Sequence, residues 1–246
     1  MHIKSVLILL FSGIILFGCD KTDELNKPEI NVGSYTNMII NYYDTTLVGK
    51  YNDPQYFNID INNDGTDDIQ FESELWGSPA VGQNPKSVMR STNNNVQIYG
   101  YQTNDTLFIN RETKILNASE NKIEVYKLEN HTCYRIGETD SIARITPSFK
   151  VIPLNKENTI KISDEYKSAE ITLIDDWYSF PPLSYNAGRD TTIIEYTTFY
   201  NDCNNFPIDE IKYVGIKFEA ESKLAWIKFS VFDKYKILVL ESGIQQ

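Results

Sequence analysis

The sequence predicts an all-β fold, either an antiparallel β-sandwich or a jelly-roll-like domain. Runs of β-branched and aromatic residues recur along the chain, and several of them alternate between apolar and polar side chains. Turn-forming residues separate these runs at short intervals, and we find no long stretch with the period of an amphipathic helix. Many short strands joined by tight turns are typical of packed antiparallel sheets.

The predicted strands follow one another along the chain with turn-forming residues between them. They cover residues 35–48, 56–61, 69–75, 96–101, 106–111, 122–128, 169–174, 191–196, 212–218, 225–232 and 236–240. The predicted turns at 63–65, 77–79, 93–95, 155–158 and 201–205 are mostly rich in Asn, Asp, Gly or Pro. Residues 163–169 are expected to form a single helical turn.

The last three predicted strands are joined by short polar turns into an antiparallel meander. In the middle strand one face is fully apolar and consists of Ala225, Ile227, Phe229 and Val231. The other face carries aromatic groups beside polar ones, namely Trp226, Lys228, Ser230 and Phe232. Because side chains alternate across a strand, the apolar face is expected to pack against a second sheet.

The chain begins with a short basic segment and an apolar run over residues 6–17. A run of about a dozen residues is typical of a signal peptide and is too short to cross a bilayer as a helix. The sequence LFGC at 16–19 then resembles the lipobox of bacterial lipoproteins. The resemblance implies cleavage before Cys19, which would carry the acyl chains of a membrane anchor. An ordinary secretory leader is the alternative.

This resemblance divides the chain into three parts: a signal peptide (1–18), the lipidated cysteine with a flexible tether (19–33), and a single β-sandwich domain (34–246). Lys21 with its acidic neighbours resembles the surface-export signal of Bacteroidota lipoproteins, although Thr22 interrupts the pattern. A solvated tether explains the same residues. We therefore expect a lipid-anchored protein of the bacterial outer membrane, facing the periplasm or the cell surface.

The net charge and the cysteine content give further expectations about binding partners and disulfide bonds. The net charge is -11 and the chain has no basic cluster, so nucleic acid is not an expected partner. Cys133 and Cys203 remain once Cys19 carries lipid, and disulfides persist outside the cytoplasm. We predict that these two cysteines form a disulfide bond; two separate buried thiols are the alternative.

The segment FNIDINNDGTDDIQFE at 57–72 has the spacing of a calcium-binding loop. With Asp60 as the first position, the oxygen ligands would be the side chains of Asn62, Asp64 and Asp68 and the carbonyl of Thr66. The twelfth position is Phe71, so the acidic residue that closes an EF-hand is missing. The loop instead resembles the shorter calcium loops of dockerin-like and repeat-type extracellular proteins. A plain Asn-Asp-Gly hairpin turn is the alternative.

The two ends of the chain together resemble an uncharacterised group of Bacteroidota surface lipoproteins. The resemblance lies in the aspartate-rich hairpin and in the segment Ala225-Trp226-Ile227, where that group usually has Gly-Trp-Ile. It implies one domain bounded by these ends and implies no activity.

Catalytic chemistry is poorly represented in the sequence. His131 is the histidine left after leader removal, and His131 with Cys133 supplies too few ligands for zinc. A glycoside hydrolase needs two carboxylates about 5–10 Å apart, and Glu72 and Glu74 share one strand face, but an exposed sheet edge explains this pair. Asp175 and Asp176 are explained by a turn. We expect no enzymatic activity, with a glycoside hydrolase as the remote alternative.

Two further features suggest surface chemistry. The stretch 176–185 contains the exposed-ring candidates Trp177, Tyr178, Phe180 and Tyr185, which would stack on sugar rings or a partner protein, or else cover an end of the sandwich. Four Asp-Thr or Asp-Ser pairs resemble the O-glycosylation acceptors of the Bacteroidota, at Thr45, Thr106, Ser141 and Thr191. Strand starts after turns explain the same pairs.

These observations favour a non-catalytic, calcium-stabilised lipoprotein that serves the cell envelope as a binding or scaffold module. Its expected partners are the membrane, through the lipid, and a glycan or another envelope protein. A carbohydrate-binding accessory protein of a glycan-uptake system is the alternative.

Overall fold

The computed structural model describes residues 28–78, 82–118, 122–133, 137–138, 140–175, 178–179, 183–188, 191–199 and 206–246. These parts of the chain form eighteen strands and no helix, which confirms the all-β prediction. Within them there is accordingly no helix with the length and apolar character needed to cross a membrane. The leader, Cys19 and residues 20–27 lie outside the described residues.

The strands in chain order are β1 (Glu29–Asn31), β2 (Met38–Val48), β3 (Lys50–Tyr51), β4 (Gln55–Ile59), β5 (Ile69–Ser78), β6 (Gly82–Ser91), β7 (Val96–Ala118), β8 (Lys122–Thr132), β9 (Ser141–Val151), β10 (Thr159–Lys161), β11 (Tyr166–Lys167), β12 (Glu170–Asp175), β13 (Tyr178–Ser179), β14 (Leu183–Asn186), β15 (Thr191–Phe199), β16 (Lys212–Phe218), β17 (Lys223–Phe232) and β18 (Lys236–Gln245).

The strands form two large sheets and a small ribbon. The smaller of the two large sheets has the order β12-β6-β5-β3, with β4 also paired to β5. The larger follows the order β13-β15-β8-β7-β16-β17-β18-β2, with β9 and β11 paired to β7 and β14 paired to β15. Strands β1 and β10 form the separate ribbon. Most pairs are antiparallel; β8 with β15 and β3 with β5 are parallel.

The main core lies between the five-stranded sheet and the C-terminal meander of the larger sheet. Phe71 of β5 meets Phe229 of β17 edge to face, with ring centroids 5.1 Å apart. Phe206 stacks on the same Phe229 ring at 4.7 Å. The four apolar residues predicted on one face of β17 are all fully buried in this cluster. The prediction that this face packs against a second sheet is therefore confirmed.

A second core covers the opposite face of the meander. Trp226 is fully buried there, with Tyr213 edge-on at 5.4 Å and Tyr35 stacked at 6.3 Å. The neighbouring strand carries Gly243 beside the indole, and a Cβ atom at that position would lie 2.6 Å from Cζ2 of Trp226. Glycine is therefore required at residue 243 because the ring occupies the space above its Cα.

The β1–β10 ribbon closes this second core and corrects the predicted start of the domain. Ile30 and Val32 are buried against the Trp226 cluster, and β1 pairs with β10 from Glu29. The flexible tether was expected to extend to residue 33, but residues 29–33 belong to the folded part. Two apolar side chains in an otherwise polar segment are enough to hold it in place once a partner strand is present.

Other differences from the predicted elements arise from strand pairing. Residues 96–101 and 106–111 are one continuous strand, β7, because β9 pairs along the polar stretch between them. The predicted helical turn at 163–169 is instead a turn followed by β11, which pairs with β7. Strands β6 and β9 were not predicted, since each contains a proline and polar or basic residues that weaken the strand pattern.

Candidate functional site

The candidate site is the loop between β4 and β5, residues 60–68. The two strands pair in register from Gln55 opposite Ser73 to Ile59 opposite Ile69, so the loop closes a regular hairpin. Asn63 and Gly65 both have positive φ, of 61° and 87°. Asparagine and glycine adopt this backbone conformation at low cost, which is why the Asn-Asp-Gly sequence turns here.

Asp60 organises the loop by accepting hydrogen bonds from the backbone that follows it. Its Oδ1 accepts from the N–H of Asn63 at 2.7 Å and from that of Asp64 at 3.3 Å. Its Oδ2 accepts from the N–H of Gly65 at 2.8 Å. The chain therefore curls around one carboxylate.

Asp64 lies at the exposed tip of this curl. Its Oδ1 accepts from the N–H of Thr66 at 2.8 Å, and Asn62 donates through Nδ2 to its Oδ2 at 3.1 Å. These two hydrogen bonds, the backbone one first, hold the pKa of the Asp64 carboxyl below its usual range. Asp64 is thus a carboxylate over the whole physiological pH range.

Asp68 is the buried acid of the loop, with 2% of its surface exposed. Its Oδ2 accepts from the N–H of Ile61 at 2.8 Å and from that of Asn62 at 3.4 Å. Burial nevertheless raises the pKa of Asp68 to about 6, and the negative charges of Asp60 and Asp64 add to the rise. Burial of Asp68 and repulsion from Asp60 and Asp64 therefore destabilise the loop when Asp68 is ionised.

Two distant segments reach the loop, and sequence reasoning missed both. Glu221, in the turn between β16 and β17, accepts from Nδ2 of Asn62 at 3.3 Å. Asn41 of β2 accepts from Nδ2 of Asn63 at 3.2 Å and donates to the carbonyl of Ile61 at 2.9 Å. Glu221 is 159 residues from Asn62 in the chain. No local spacing pattern identifies such a contact.

The predicted metal ligands of this loop are all oxygen atoms, which suits a hard cation such as calcium. In the conformation described, however, the carboxylates of Asp60, Asp64 and Asp68 accept N–H groups. Across the described ranges, no group of three or more Asp, Glu, His or Cys side chains converges in a metal-binding arrangement. The loop thus offers the ligand types for calcium, while its carboxylates are engaged with the backbone.

No family model, curated protein or solved structure matches this chain.

The predicted disulfide and aromatic residues lie only partly within the described residues. Cys133 is disulfide-bonded, whereas Cys203, its predicted partner, lies outside them. Trp177 and Phe180 also lie outside, and Tyr178 is described only as part of β13. Tyr185 of β14 is exposed, and its hydroxyl donates to Glu195 at 2.9 Å.

The four residues predicted as glycosylation acceptors occupy different environments. Ser141 is exposed at the start of β9, whereas Thr45, Thr106 and Thr191 are half-buried within strands. The hydroxyl of Thr45 donates to the carbonyl of Tyr43 at 2.9 Å. Ser141 is thus the most accessible of the four hydroxyls.

The paired acids of β5 correct one expectation. Glu72 and Glu74 were attributed to an exposed sheet edge, but they are only 5% and 6% exposed. Strand β5 lies inside its sheet, between β6 on one side and β3 and β4 on the other. Glu72 forms a close ion pair with Arg90 and a second with Lys86 at 3.6 Å.

His131 lies in a network of charged side chains on β7 and β8. It is buried, and its Nε2 lies 2.7 Å from Oε1 of Glu129. Glu129 also accepts from Nε of Arg111 at 2.7 Å. The imidazole is thus part of a charged network on β7 and β8.

A cavity of about 490 Å³ lies at the side of the sandwich, between β9 and β12. Phe149, Ile171 and Phe206 contribute apolar walls, and Asp105 pairs with Lys150 across 2.8 Å at its border. None of its lining residues belongs to the 60–68 loop. The cavity and the loop are therefore separate features.

Proposed function

We propose that this chain is a non-catalytic binding or scaffold protein of the bacterial cell envelope, anchored by lipid at Cys19 and stabilised by calcium in the 60–68 loop. The anchor proposal rests on the LFGC sequence at 16–19 that follows an apolar leader. The calcium proposal rests on the geometry of the loop.

The observation that carries the calcium proposal is the crowding of ionised groups around a buried acid. Asp68 is almost completely buried, and the charges of Asp60 and Asp64 raise its pKa further. The turn uses these acids as acceptors of backbone N–H groups, but their mutual repulsion when all are ionised destabilises it. A divalent cation among them would replace repulsion by attraction and would stabilise the ionised form of Asp68.

Glu221 extends the ligand set beyond the loop. An EF-hand closes its coordination shell with an acidic residue at position 12, where this chain has Phe71. The Glu221 carboxylate already contacts Asn62, at the third position of the loop. In this proposal Glu221 supplies the missing carboxylate and ties the β16–β17 turn to the β4–β5 hairpin.

The test is calcium-dependent stability. We expect millimolar CaCl₂ to raise the melting temperature above its value in EGTA, because a ligand that binds the folded state alone stabilises it by mass action. Asp64→Ala should abolish the increment, and Glu221→Gln should reduce it. Calorimetric titration should give a dissociation constant of about 10⁻⁴ to 10⁻³ M, the range of extracellular calcium modules.

Asp164→Ala is the matched control. Asp164 is a turn aspartate whose carboxylate accepts the N–H of Lys161 at 2.7 Å, remote in sequence from the loop. This substitution should lower the melting temperature equally with and without calcium and leave the increment intact. Identical melting curves of the unmodified protein in CaCl₂ and EGTA would refute calcium binding.

The lipid anchor has its own test. Metabolic labelling with a radioactive fatty acid in a bacterial host should label the protein, and Cys19→Ser should remove the label. Labelling that persists in Cys19→Ser would refute the assignment of the anchor.

A further inference from the structure

The outer face of the five-stranded sheet, turned away from the main core, carries an ordered set of aromatic and charged side chains. We define this outer face by Tyr56, Glu72, Glu74, Trp76, Lys86 and Arg90. The strand register places them together, since Tyr56 is opposite Glu72, Lys86 is opposite Glu74, and Arg90 lies on the same side further along β6. Alternate residues of β5, such as Phe71, point into the core.

Two aromatic rings are exposed on this face. Tyr56 and Trp76 each have 53% of their surface exposed, although β4 and β5 are paired strands within the sheet. Trp76 is four residues from Glu72, so the two rings are separated by about 13 Å along the strand direction. Rings at this spacing on rigid strands form a platform for an extended ligand rather than for a single small ring.

Between the aromatic residues lies a carboxylate without a partner. Glu74 is only 6% exposed, and within the described part of the chain its side chain has neither a hydrogen bond nor an ion pair. Its neighbour Glu72 is satisfied by Arg90 and Lys86. In the described part of the chain its carboxylate oxygens still reach solvent, so they are free to accept hydrogen bonds from a ligand.

The face carries charges of both signs. Lys50 is opposite Glu74 on β3, Asp175 is opposite Lys86 on β12, and Arg90 contacts Glu170 at 3.5 Å as well as Glu72. The cationic groups of Lys50, Lys86 and Arg90 therefore lie among the carboxylates of Glu72, Glu74, Glu170 and Asp175. An anionic polymer would be repelled by this excess of carboxylates and by the net charge of -11.

We infer that this outer face binds a neutral glycan chain. Sugar rings present C–H faces that pack on aromatic rings, and hydroxyls that donate to a carboxylate while accepting from Lys or Arg. Trp76 and Tyr56 supply the stacking surfaces, Glu74 the free acceptor, and Lys86 and Arg90 the donors held in place by Glu72. The inference names the ligand of the binding module proposed above and rests on that proposal.

The test is affinity electrophoresis of the full chain in native gels that contain a neutral polysaccharide: β-glucan, xylan or galactomannan. Polygalacturonate is the acidic comparison. We expect at least one neutral polymer to retard the protein and polygalacturonate to leave it unaffected. Trp76→Ala and Tyr56→Ala should each weaken binding by roughly two- to tenfold, the range of a lost aromatic stacking contact.

Tyr42→Ala is the matched control, because Tyr42 is 67% exposed on β2, in the other sheet. This variant should bind as the unmodified protein does. Absence of retardation by every neutral polymer would overturn the inference, and so would retardation that both aromatic variants retain. Calcium binding without glycan binding would refute this inference and leave the calcium proposal intact.

Glu74→Gln separates a binding role from a structural one. Removing a carboxylate that has no ion pair or hydrogen bond within the described residues should leave the melting temperature unchanged, while glycan affinity falls. A melting temperature lowered by more than about 3 °C would show that the fold itself uses the carboxylate, and would overturn its assignment as a ligand group.

Discussion

In the absence of metal, the free energy of unfolding should depend on pH through the titration of Asp68. In EGTA, Asp68→Asn should remove a penalty that the unmodified protein carries at neutral pH. The pKa of Asp68 is raised to about 6 from the ordinary value of 3.8, first by burial and then by the charges of Asp60 and Asp64. The folded state therefore binds this proton more tightly than the unfolded chain. Stability from this group is present at low pH and is lost as pH rises from about 4 to about 6.

The magnitude follows from the size of the shift. About two pKa units correspond to about 3 kcal/mol between the fully protonated and fully ionised limits. Between about pH 4.5 and about pH 8 the loss amounts to about 2 kcal/mol, because some ionisation of the unfolded chain has already occurred at the lower pH. The amide introduced by Asp68→Asn does not titrate, and it keeps an oxygen that accepts the N–H of Ile61.

The assay is urea unfolding of the unmodified protein and of Asp68→Asn at both pH values in EGTA. The difference between the two proteins cancels the titration of all other groups. We expect Asp68→Asn to gain about 2 kcal/mol relative to the unmodified protein on going from the lower to the higher pH. In CaCl₂ that gain should vanish, since the cation stabilises the ionised carboxylate. An unchanged difference in EGTA across the two pH values would refute the reasoning.

Three further outcomes test the packing. Gly243→Ala should destabilise the protein by about 1–3 kcal/mol in urea unfolding, since its Cβ would lie 2.6 Å from Trp226. The control Gly188→Ala should be nearly neutral, because a Cβ at residue 188 would have nothing within 4 Å. Equal effects of the two substitutions would contradict this account. Phe229→Ala should cost about 3–5 kcal/mol by the same assay, because the ring is fully buried between two other phenylalanines; a cost below about 1 kcal/mol would contradict it. Thiol titration of the unfolded, unreduced protein should find Cys133 blocked, and reductant should lower the melting temperature; a reactive Cys133 would contradict the disulfide.

The fold class followed from the sequence because strand alternation is a local signal. The four apolar residues of β17 alternate without interruption, and each lies in the main core. The same signal failed for β9, whose first seven residues are exposed and follow no alternation. Its strand conformation depends on pairing with β7, more than 30 residues away in the chain. The pattern of residue types in a strand indicates which of its side chains are buried. It does not indicate which other strand it will pair with.

The candidate loop was predictable because its proposed ligands are close together in the sequence. Glu221 was not predictable because it is distant from them in the sequence. Asp60 to Asp68 span nine residues, so their spacing is visible in the sequence, and the backbone does turn around Asp60. Glu221 reaches the loop only because the β16–β17 turn lies beside it. The burial of Glu72 and Glu74 was missed because a local pattern cannot tell a central strand from an edge strand. Their position in the sheet is decided by β3, β4 and β6.

The loop and the outer face share one structural element, the β4–β5 hairpin. Asp67 of the loop accepts from Nδ2 of Asn58 at 2.7 Å, and Asn58 in turn accepts from Nε2 of Gln70 at 2.8 Å. Asn58 and Gln70 are opposite each other on the face that carries Tyr56 and Glu72, and they lie one same-face position nearer the loop. A cation that fixes the loop would therefore also restrict the strands that carry the exposed rings. Rigid placement of a few contact residues is what a binding surface requires, so a structural calcium site is physically compatible with a glycan platform on the same hairpin.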